Sequence, residues 1–312
     1  MRRVLVLLGT LLLLLTGLSA CGDDSGEGSA PKDSGKVSFA GKFGKKPEVT
    51  FDGVLSVSKS KVDVLSEGDG ATVEDGDAVF ANLYMANGYT GEELSSTWDE
   101  SGRTTMLEVS DNTIPVFKQA LEGQKVGSRI AVQAAPKDAF GEQGNDDLAI
   151  APEDTIVLVI DVVEKIPDSI KAGKAVSPQG GPKVVEKDGT VTGLKFTGKA
   201  DKIDELKTET LVRGKGPKAK NGDTLVVKYL GQVNGKNKVF DENFSGDSHY
   251  PITLGSGGSI KGWDQGLVGV KAGSRVLLRV PSALGYADKG SGKDIKPGDD
   301  LVFVIDVLAI NN

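Results

Sequence analysis

Residues 260–275, IKGWDQGLVGVKAGSR, repeat residues 114–129, IPVFKQALEGQKVGSR, and this pair of segments decides the fold. They align without a gap at an offset of 146 residues, and eight of their sixteen positions are identical. A second pair follows at nearly the same offset, since residues 154–163 (DTIVLVIDVV) and 299–308 (DDLVFVIDVL) share six of ten positions. Internal similarity of this kind indicates that one structural unit occurs twice in the chain.

The repeat divides the chain into two related domains, which we place at residues 37–167 and 183–312. Residues 168–182 between them are rich in Lys, Gly, Ser and Pro, a composition typical of a linker. A chain of 312 residues has room for two modest domains of this size.

Within each domain the pattern predicts mainly strands and one short helix. Asn234-Gly235 is a hairpin signal, and Ile260, Trp263 and Leu267 would share one face of a helix over residues 260–268. The clearest strands are short and rich in β-branched residues, at 225–229, 275–280 and 301–308. We therefore predict an α+β fold in which each domain wraps a bent antiparallel sheet on one short α-helix.

Composition and charge exclude several classes of function. The net charge of -7 offers no excess of Lys or Arg for phosphates, so we expect no nucleic-acid partner. The single cysteine, Cys21, and the single histidine, His249, leave no material, or almost none, for a zinc site, a disulfide framework or a Cys–His nucleophile pair. We expect neither a metal nor a cofactor. With no Cys or acidic cluster beside it, we expect His249 to be a surface residue without a catalytic role.

The N-terminus has the pattern of a secretory signal peptide over residues 1–20, because Met1-Arg2-Arg3 precedes a short apolar run and small residues. A buried core helix is the alternative, which the terminal position disfavours. Leu18-Ser19-Ala20-Cys21 resembles the bacterial lipoprotein processing box. That resemblance implies cleavage before Cys21, lipidation of its sulfur and a protein anchored to the membrane outside the cytoplasm. Residues 21–36 are rich in Gly, Ser, Asp and Glu and are expected to form a flexible tether.

The second domain carries an ordered set of short motifs from about residue 214 to 310. The set comprises Val227-x-Tyr229-x-Gly231, Phe240-Asp241, Leu254-Gly255, Ile260-x-Gly262-Trp263, Gly266-Leu267-x-Gly269, Gly273, Pro281, Tyr286 and Phe303. In this order and near these spacings, they resemble the FKBP-type peptidyl-prolyl cis-trans isomerases. The whole chain resembles the two-domain FKBP lipoproteins of actinobacterial type.

The resemblance implies a pocket for a proline ring. Its catalytic residues would be Asp241, Tyr286, Trp263, Phe240 and Tyr229, with Trp263 as the floor, and its substrate-binding residues Tyr250, Ile260, Ile295 and Phe303. The backbone N–H of Ile260 and the hydroxyl of Tyr286 would donate to substrate carbonyls, and Asp241 would be bonded to Tyr229. Composition alone leaves ordinary core packing open for the aromatic residues and a solvated turn for Asp241.

Several positions depart from the family pattern. Gly285-Tyr286-Ala287 stands where Ala-Tyr-Gly is frequent, and residues 242–248 hold no match for an arginine that often partners the aspartate. In the first domain, aligned on the same motifs, Asp99 and Ile150 are kept, but five pocket positions differ: Leu83, Trp98, Phe117, Phe140 and Leu158. In this alignment the connection from Tyr84 to Trp98 is four residues longer than its counterpart in the second domain. We predict that the first domain keeps the fold and is weak or inactive in catalysis.

The resemblance favours a lipid-anchored prolyl isomerase that assists the folding of exported proteins, with proline-containing polypeptides as substrates. It also implies macrolide inhibitors such as rapamycin as ligands. The alternative is a non-catalytic peptide-binding chaperone or interaction module with the same fold. A lipoprotein that captures small solutes is disfavoured, because such receptors need a larger α/β body with long helices.

Overall fold

The structure is a computed structural model, and it describes residues 33–99, 103–171, 178, 181–197 and 200–311. The predicted signal peptide, Cys21 and parts of the predicted tether and linker lie outside these residues. Strand β1 begins at Ser34, within the segment predicted as tether, so the folded region starts slightly before residue 37. No helix in the described ranges is long and apolar enough to cross a membrane.

Two six-stranded antiparallel sheets form the centres of the two domains, and their topologies are the same. In the first sheet the order is β3-β7-β8-β4-β5, with β6 also paired to β4; in the second it is β11-β15-β16-β12-β13, with β14 paired to β12. The first sheet comprises β3 (Lys61–Ser66), β4 (Ala78–Asn87), β5 (Glu93–Ser96), β6 (Thr105–Glu108), β7 (Arg129–Ala134) and β8 (Ile156–Ile166). The second comprises β11 (Lys207–Val212), β12 (Thr224–Val233), β13 (Val239–Glu242), β14 (Tyr250–Thr253), β15 (Ser274–Val280) and β16 (Leu301–Asn311).

One short α-helix packs on the inner face of each sheet, as predicted. These helices are α1 (Pro115–Leu121) and α2 (Lys261–Gly266), which is shorter than the predicted 260–268. Gly262 and Gly266 lie so close to the sheet that a Cβ would come within 2.5 Å of a Val280 methyl and 2.4 Å of a Leu278 methyl. The two glycines therefore set how closely α2, and with it Trp263, approaches the sheet.

The outer face of each sheet is covered as well, which the sequence interpretation did not include. The hairpin β1 (Ser34–Ala40) and β2 (Glu48–Ser56) packs on the first sheet, and the hairpin β9 (Lys183–Lys187) and β10 (Thr190–Lys195) packs on the second. The unbroken apolar run of β16, LVFVIDVLAIN, is buried at ten of its eleven residues. A strand covered on both faces has such a run rather than an alternating pattern.

The two domains contact each other through a small apolar cluster. Phe80 and Ile166 of the first domain pack with Val226 and Leu308 of the second. Asn311 donates a hydrogen bond to the carbonyl of Thr104, another contact between the domains. The first residues of β12, which precede Tyr229, therefore lie near the first domain.

Candidate active site

A cleft of about 650 Å³ opens between the helix end, the β12–β13 edge and the segment after β15. Of the nine residues predicted for catalysis or substrate binding, eight line it: Tyr229, Phe240, Asp241, Tyr250, Ile260, Trp263, Tyr286 and Phe303. The ninth, Ile295, is buried in the hydrophobic core of the same domain and is not among the lining residues. The fold thus brings residues from four strands, one helix and one loop to a single concave surface.

Trp263 lies at the centre of the aromatic residues. Its ring meets Tyr229 edge-on, with centroids 5.1 Å apart at 78°, and Phe303 at 5.3 Å and 86°. Phe240 packs edge-on against Phe303 at 5.7 Å, and Tyr250 is tilted against Tyr229 at 5.4 Å. These distances are those of favourable aromatic pairs, so each ring holds its neighbour in place.

The floor of the cleft is apolar and nearly closed to water. Trp263 is 5% exposed, and its indole Nε1 has no hydrogen-bond partner among the described residues. Gly231 makes this arrangement possible, because a Cβ there would lie 2.5 Å from the Phe240 ring and 2.8 Å from the Phe303 ring. The sequence motif contained Gly231, but only the packing gives the reason for it.

Polar groups are confined to the rim. The Tyr229 hydroxyl donates a hydrogen bond of 2.7 Å to Asp241 Oδ2. Burial, this hydrogen bond and the Asp241 charge together raise the pKa of Tyr229. Burial, followed by the Asp241 charge, likewise raises the pKa of Tyr286. Both phenols are therefore neutral hydrogen-bond donors at physiological pH.

Ile260 is the N-cap residue of α2, with φ −66° and ψ 148°. Its carbonyl accepts hydrogen bonds from the amides of Trp263 and Asp264. Its own N–H makes no hydrogen bond within the described part of the chain and borders the cleft. This geometry leaves the Ile260 amide free to donate to a bound carbonyl.

The Gly285-Tyr286-Ala287 segment places Tyr286 through an unusual backbone. Ala287 has φ 47°, in the left-handed region that favours glycine, and its amide donates to the Ser282 carbonyl at 2.8 Å. In the first domain the corresponding residue is Gly141, with φ 63°. Gly285 has φ −100°, so the need for a glycine conformation lies at residue 287 rather than at 285.

Strand register corrects the alignment of the first domain. Gly231 pairs with Asp241 and Gln232 with Val239, with Phe240 at the bulge between them. In the first domain Met85 pairs with Ser95 and Ala86 with Glu93, which puts Leu94 at the bulge. Leu94 and Ser95 therefore occupy the positions of Phe240 and Asp241, and the connection has the same length in both domains.

Trp98 and Asp99 lie elsewhere. Trp98 packs on the outer face of the first sheet, with the Arg129 guanidinium 5.7 Å from its ring centre. Phe244 and Arg275 form the same contact at 5.8 Å in the second domain. Asp99 forms an ion pair with Lys46 of the segment between β1 and β2. The predicted equivalence of Trp98 with Phe240, and of Asp99 with Asp241, is wrong because the 146-residue offset continues without a gap through this region.

The first domain fills the corresponding region with fewer aromatic and more aliphatic side chains. Met85 stands where Gly231 makes room for two rings, and it is buried at 8% exposure. The other positions hold Leu83, Leu94, Ser95, Phe117, Phe140 and Leu158. The tyrosine–carboxylate pair of the second domain therefore has no counterpart in the first.

His249 is buried, contrary to the expected surface position. It is 6% exposed, and its Nε2 lies 3.6 Å from Asp168 Oδ1, near the end of the first domain. Burial and the nearby Lys228 charge lower the pKa of the imidazole, against the opposing effect of Asp168 and Glu108. His249 therefore belongs to the contact between the domains and does not line the cleft.

Comparison with known proteins finds one family in both domains. The profile of the FKBP-type peptidyl-prolyl cis-trans isomerases matches residues 70–163 and 216–308. An FK506-binding protein of Streptomyces anulatus is 37% identical over 107 residues, which cover 34% of this chain and 86% of that protein. The peptidyl-prolyl cis-trans isomerase FKBP15-2 of Arabidopsis thaliana is 41% identical over 93 residues, covering 30% of this chain and 56% of that protein. The crystal structure of the three FKBP domains of wheat FKBP73 covers 81% of this chain and 94% of that chain, at 18% identity and a TM-score of 0.34.

Proposed function

The chain belongs to the FKBP-type peptidyl-prolyl cis-trans isomerase family and is an enzyme of that class; from this premise we propose that the aromatic cleft of the second domain is its catalytic site. Its substrates would be polypeptides with X-Pro bonds. Asp241, Tyr286, Trp263, Phe240 and Tyr229 would carry the reaction.

The chemistry requires no nucleophile and no electron carrier. Rotation about a peptide bond meets a barrier of about 18–20 kcal/mol, because the amide loses its resonance as it twists. An apolar site that excludes water favours the twisted amide, in which the resonance charge separation is smaller, over the planar one. The closely packed rings around Trp263 would hold the proline ring in such a site.

The rim groups would orient the two carbonyls that flank the proline. The Ile260 N–H and the neutral Tyr286 hydroxyl are donors on the cleft surface. Asp241 accepts a hydrogen bond from the Tyr229 hydroxyl and sets the position of that ring. Fixed donors of this kind contribute to rate when they fit the twisted state better than the planar one.

The buried, edge-packed Trp263 is the observation that carries the proposal, and a matched pair of variants tests it. The full chain should accelerate cis-to-trans conversion of a short peptide with a hydrophobic residue before proline. Trp263→Leu should remove most of that acceleration, whereas Phe117→Leu at the equivalent position of the first domain should leave it. Equal losses, or a folded Trp263→Leu protein of full activity, would contradict the assignment.

The first domain is proposed to keep the fold without significant turnover. Its equivalent site lacks the hydroxyl groups of Tyr229 and Tyr286 and the carboxylate of Asp241. Met85 also occupies the space that the second domain leaves to aromatic rings. The triple variant Tyr229→Leu, Phe240→Leu, Asp241→Ser leaves only the first domain intact. Its residual activity in the same assay therefore sets an upper limit on the activity of the first domain.

Outside the folded domains, we propose that Cys21 carries the lipid anchor and that the enzyme acts on exported proteins at the outer side of the cytoplasmic membrane. The support is the sequence Leu18-Ser19-Ala20-Cys21 after a basic start and a short apolar run. Expression in a bacterium supplied with a labelled fatty acid should label the wild type and leave Cys21→Ala unlabelled. Labelling of Cys21→Ala would refute the anchor.

Macrolides of the FK506 type are proposed as competitive ligands of the same cleft. Their support is the cleft volume, the apolar floor and a relative named for FK506 binding. Inhibition of isomerase activity by FK506 or rapamycin, lost in Trp263→Leu, is the expected result. A chain that binds peptide at the cleft but accelerates nothing would instead support the non-catalytic chaperone.

A further inference from the structure

We propose that Asn243 is a positioning residue for the isomerase reaction, and that together with the buried Lys228 it fixes the strand segment carrying Tyr229. The inference rests on the proposed function of the cleft. Asn243 and Lys228 are absent from the residues that line the cleft, so any effect of theirs on turnover must pass through other residues.

Tyr229 lies at a gap in the sheet edge. On that edge β12 pairs with β13 over Leu230–Gln232 and with β14 over Thr224–Val227, which leaves residues 228 and 229 without a neighbouring strand. Backbone groups inside a protein need hydrogen-bond partners. The site's central tyrosine therefore sits where strand pairing does not supply them.

Asn243 supplies both partners. Its Oδ1 accepts the Tyr229 N–H at 2.7 Å, and its own backbone N–H donates to the Tyr229 carbonyl at 3.0 Å. Its Nδ2 donates to the carbonyls of Val227 and Ser248, each at 3.3 Å. One side chain thus joins the strand of Tyr229 to the loop that leads to Tyr250.

Lys228 holds the same loop from the face of the strand opposite to the Tyr229 side chain, since successive side chains point to opposite faces. It is 5% exposed, and its Nζ donates to the carbonyls of Asn243 at 3.2 Å and Gly246 at 2.5 Å. A buried ammonium group with fixed acceptors resists displacement, because any movement would leave it unpaired. Asn243 at the strand edge and Lys228 on one face therefore both tie the loop to the strand that carries Tyr229.

The first domain contains a natural variant of this arrangement. At the equivalent positions Thr97 Oγ1 accepts the Leu83 N–H at 3.0 Å, and the Thr97 N–H donates to the Leu83 carbonyl at 3.0 Å. Thr97 also contacts Asn82, which stands where the second domain has Lys228. In the first domain a threonine hydroxyl accepts the strand amide that the Asn243 side chain accepts in the second, so threonine should be able to replace asparagine at position 243.

Asn243→Thr and Asn243→Val in the full chain form a matched test, because the two side chains have similar size and only threonine offers an acceptor. We expect Asn243→Val to lower kcat/KM for an X-Pro peptide about tenfold and Asn243→Thr to stay within about threefold of the wild type. Thermal unfolding checks that both fold. Should the valine variant not fold, Asn243→Asp keeps the acceptor and should show the activity of the threonine variant. Equal activity of folded threonine and valine variants, or a tenfold loss in a folded Thr or Asp variant, overturns the inference.

A second readout separates this inference from the proposed function. With Trp98 replaced by Phe, Trp263 is the sole tryptophan and its emission reports the packing against Tyr229. We expect a red shift in Asn243→Val and none in Asn243→Thr. If the wild type accelerates no peptide, the proposed function fails, while the fluorescence pair still decides whether Asn243 positions Tyr229. Identical spectra in all three proteins would overturn the positioning role.

Discussion

The sheet of the first domain and the sheet of the second have the same strand order and the same bulge, yet only one of them carries a ring of aromatic side chains. At the edge of the first sheet stand Leu83, Met85 and Leu94, where the second has Tyr229, Gly231 and Phe240. Either set of side chains is compatible with the fold, because both fill the space between the sheet and the helix with apolar atoms. The backbone is shared, so the proposed difference in activity must come from side chains. A few substituted side chains, and the missing one at Gly231, are what distinguish the two sites.

The outer faces of the two sheets differ in how their hairpins are attached. In the first domain the fully buried Arg129–Asp161 pair bonds the backbone between β1 and β2, at the Lys45 carbonyl and the Gly44 amide. In the second, the Arg275–Asp306 pair meets the side chain of Glu186 on β9. The first attachment is buried and the second is partly exposed, so we expect them to differ in energetic weight.

The largest effect should come from breaking the buried pair. Arg129→Met would leave the Asp161 carboxylate without a cation at 0% side-chain exposure, which should cost about 3–5 kcal/mol of unfolding free energy. Arg275 is 12% exposed, so Arg275→Met should cost less. Urea denaturation followed by circular dichroism measures both. A larger loss for Arg275→Met would show that the first hairpin depends on other contacts.

A conversion of one site into the other should have the next largest effect. Tyr229→Leu, Phe240→Leu and Asp241→Ser together copy the first domain and should lower kcat/KM about a hundredfold, since they remove two rings and the rim carboxylate. The melting temperature controls for folding. A loss below about threefold in a folded protein would contradict the roles proposed for these three side chains.

A smaller, reciprocal test concerns Gly141 and its equivalent Ala287, which both have a positive φ and follow Phe140 and Tyr286. Gly141→Ala should destabilise the first domain by about 1 kcal/mol, because an L side chain at this φ is strained and its Cβ meets no other atom within 4 Å. Ala287→Gly should change the stability of the second domain by less than this, since the relief of strain is offset by the greater freedom of glycine in the unfolded chain. Thermal unfolding of both variants gives the comparison. Equal destabilisation by both changes would contradict it.

The smallest effect, on stability, should appear only in acid. Arg103 of the first domain and His249 of the second occupy equivalent positions at the contact between the domains. Arg103 bonds the Gly222 carbonyl and carries a permanent charge, whereas burial lowers the pKa of His249 below its ordinary 6.5. Because the folded state favours neutral imidazole, its contribution is complete above pH 6.5 and is lost as the pH falls below that value.

Stability should therefore decrease between pH 7 and pH 5, and His249→Gln should reduce this decrease. Lys228, Asp168 and Glu108 are the charged groups around the imidazole, and their own substitution would alter the same dependence. Urea midpoints at several pH values provide the measurement. An unchanged pH dependence in His249→Gln would assign it to carboxylates elsewhere.

Much of this architecture was accessible from the sequence. The repeat, the helix at Trp263 and the strands around it follow from periodicity and internal similarity, and eight of nine predicted site residues line one cleft. The misplacement of Trp98 and Asp99 has a simple cause. Matching Trp98 to Phe240, aromatic to aromatic, requires a gap in the alignment of the two domains. The strand pairing instead keeps the constant offset of 146 residues and places Leu94 at the bulge.

Other features could not be predicted because they depend on contacts between distant segments. The hairpins on the outer faces have no internal signal for the sheet they cover, although the unbroken apolar run of β16 indicates that something covers it. His249 is buried and lies 3.6 Å from Asp168, a residue far from it in the chain that no sequence pattern connects with it. The role proposed for Asn243 depends on a gap between two strands that sequence periodicity does not reveal.

The order of residues is enough to show that one α+β unit occurs twice and that the second copy carries the aromatic residues of the proposed site, because repeats and side-chain identity are properties of the chain order. Tertiary structure alone decided which residues of the first copy correspond to them, how closely the rings pack over Gly231, and how Asn243 and Lys228 hold Tyr229 in place. These depend on register and on distances of a few ångströms between residues far apart in the chain. Such distances are fixed only when both faces of each sheet are covered and packed.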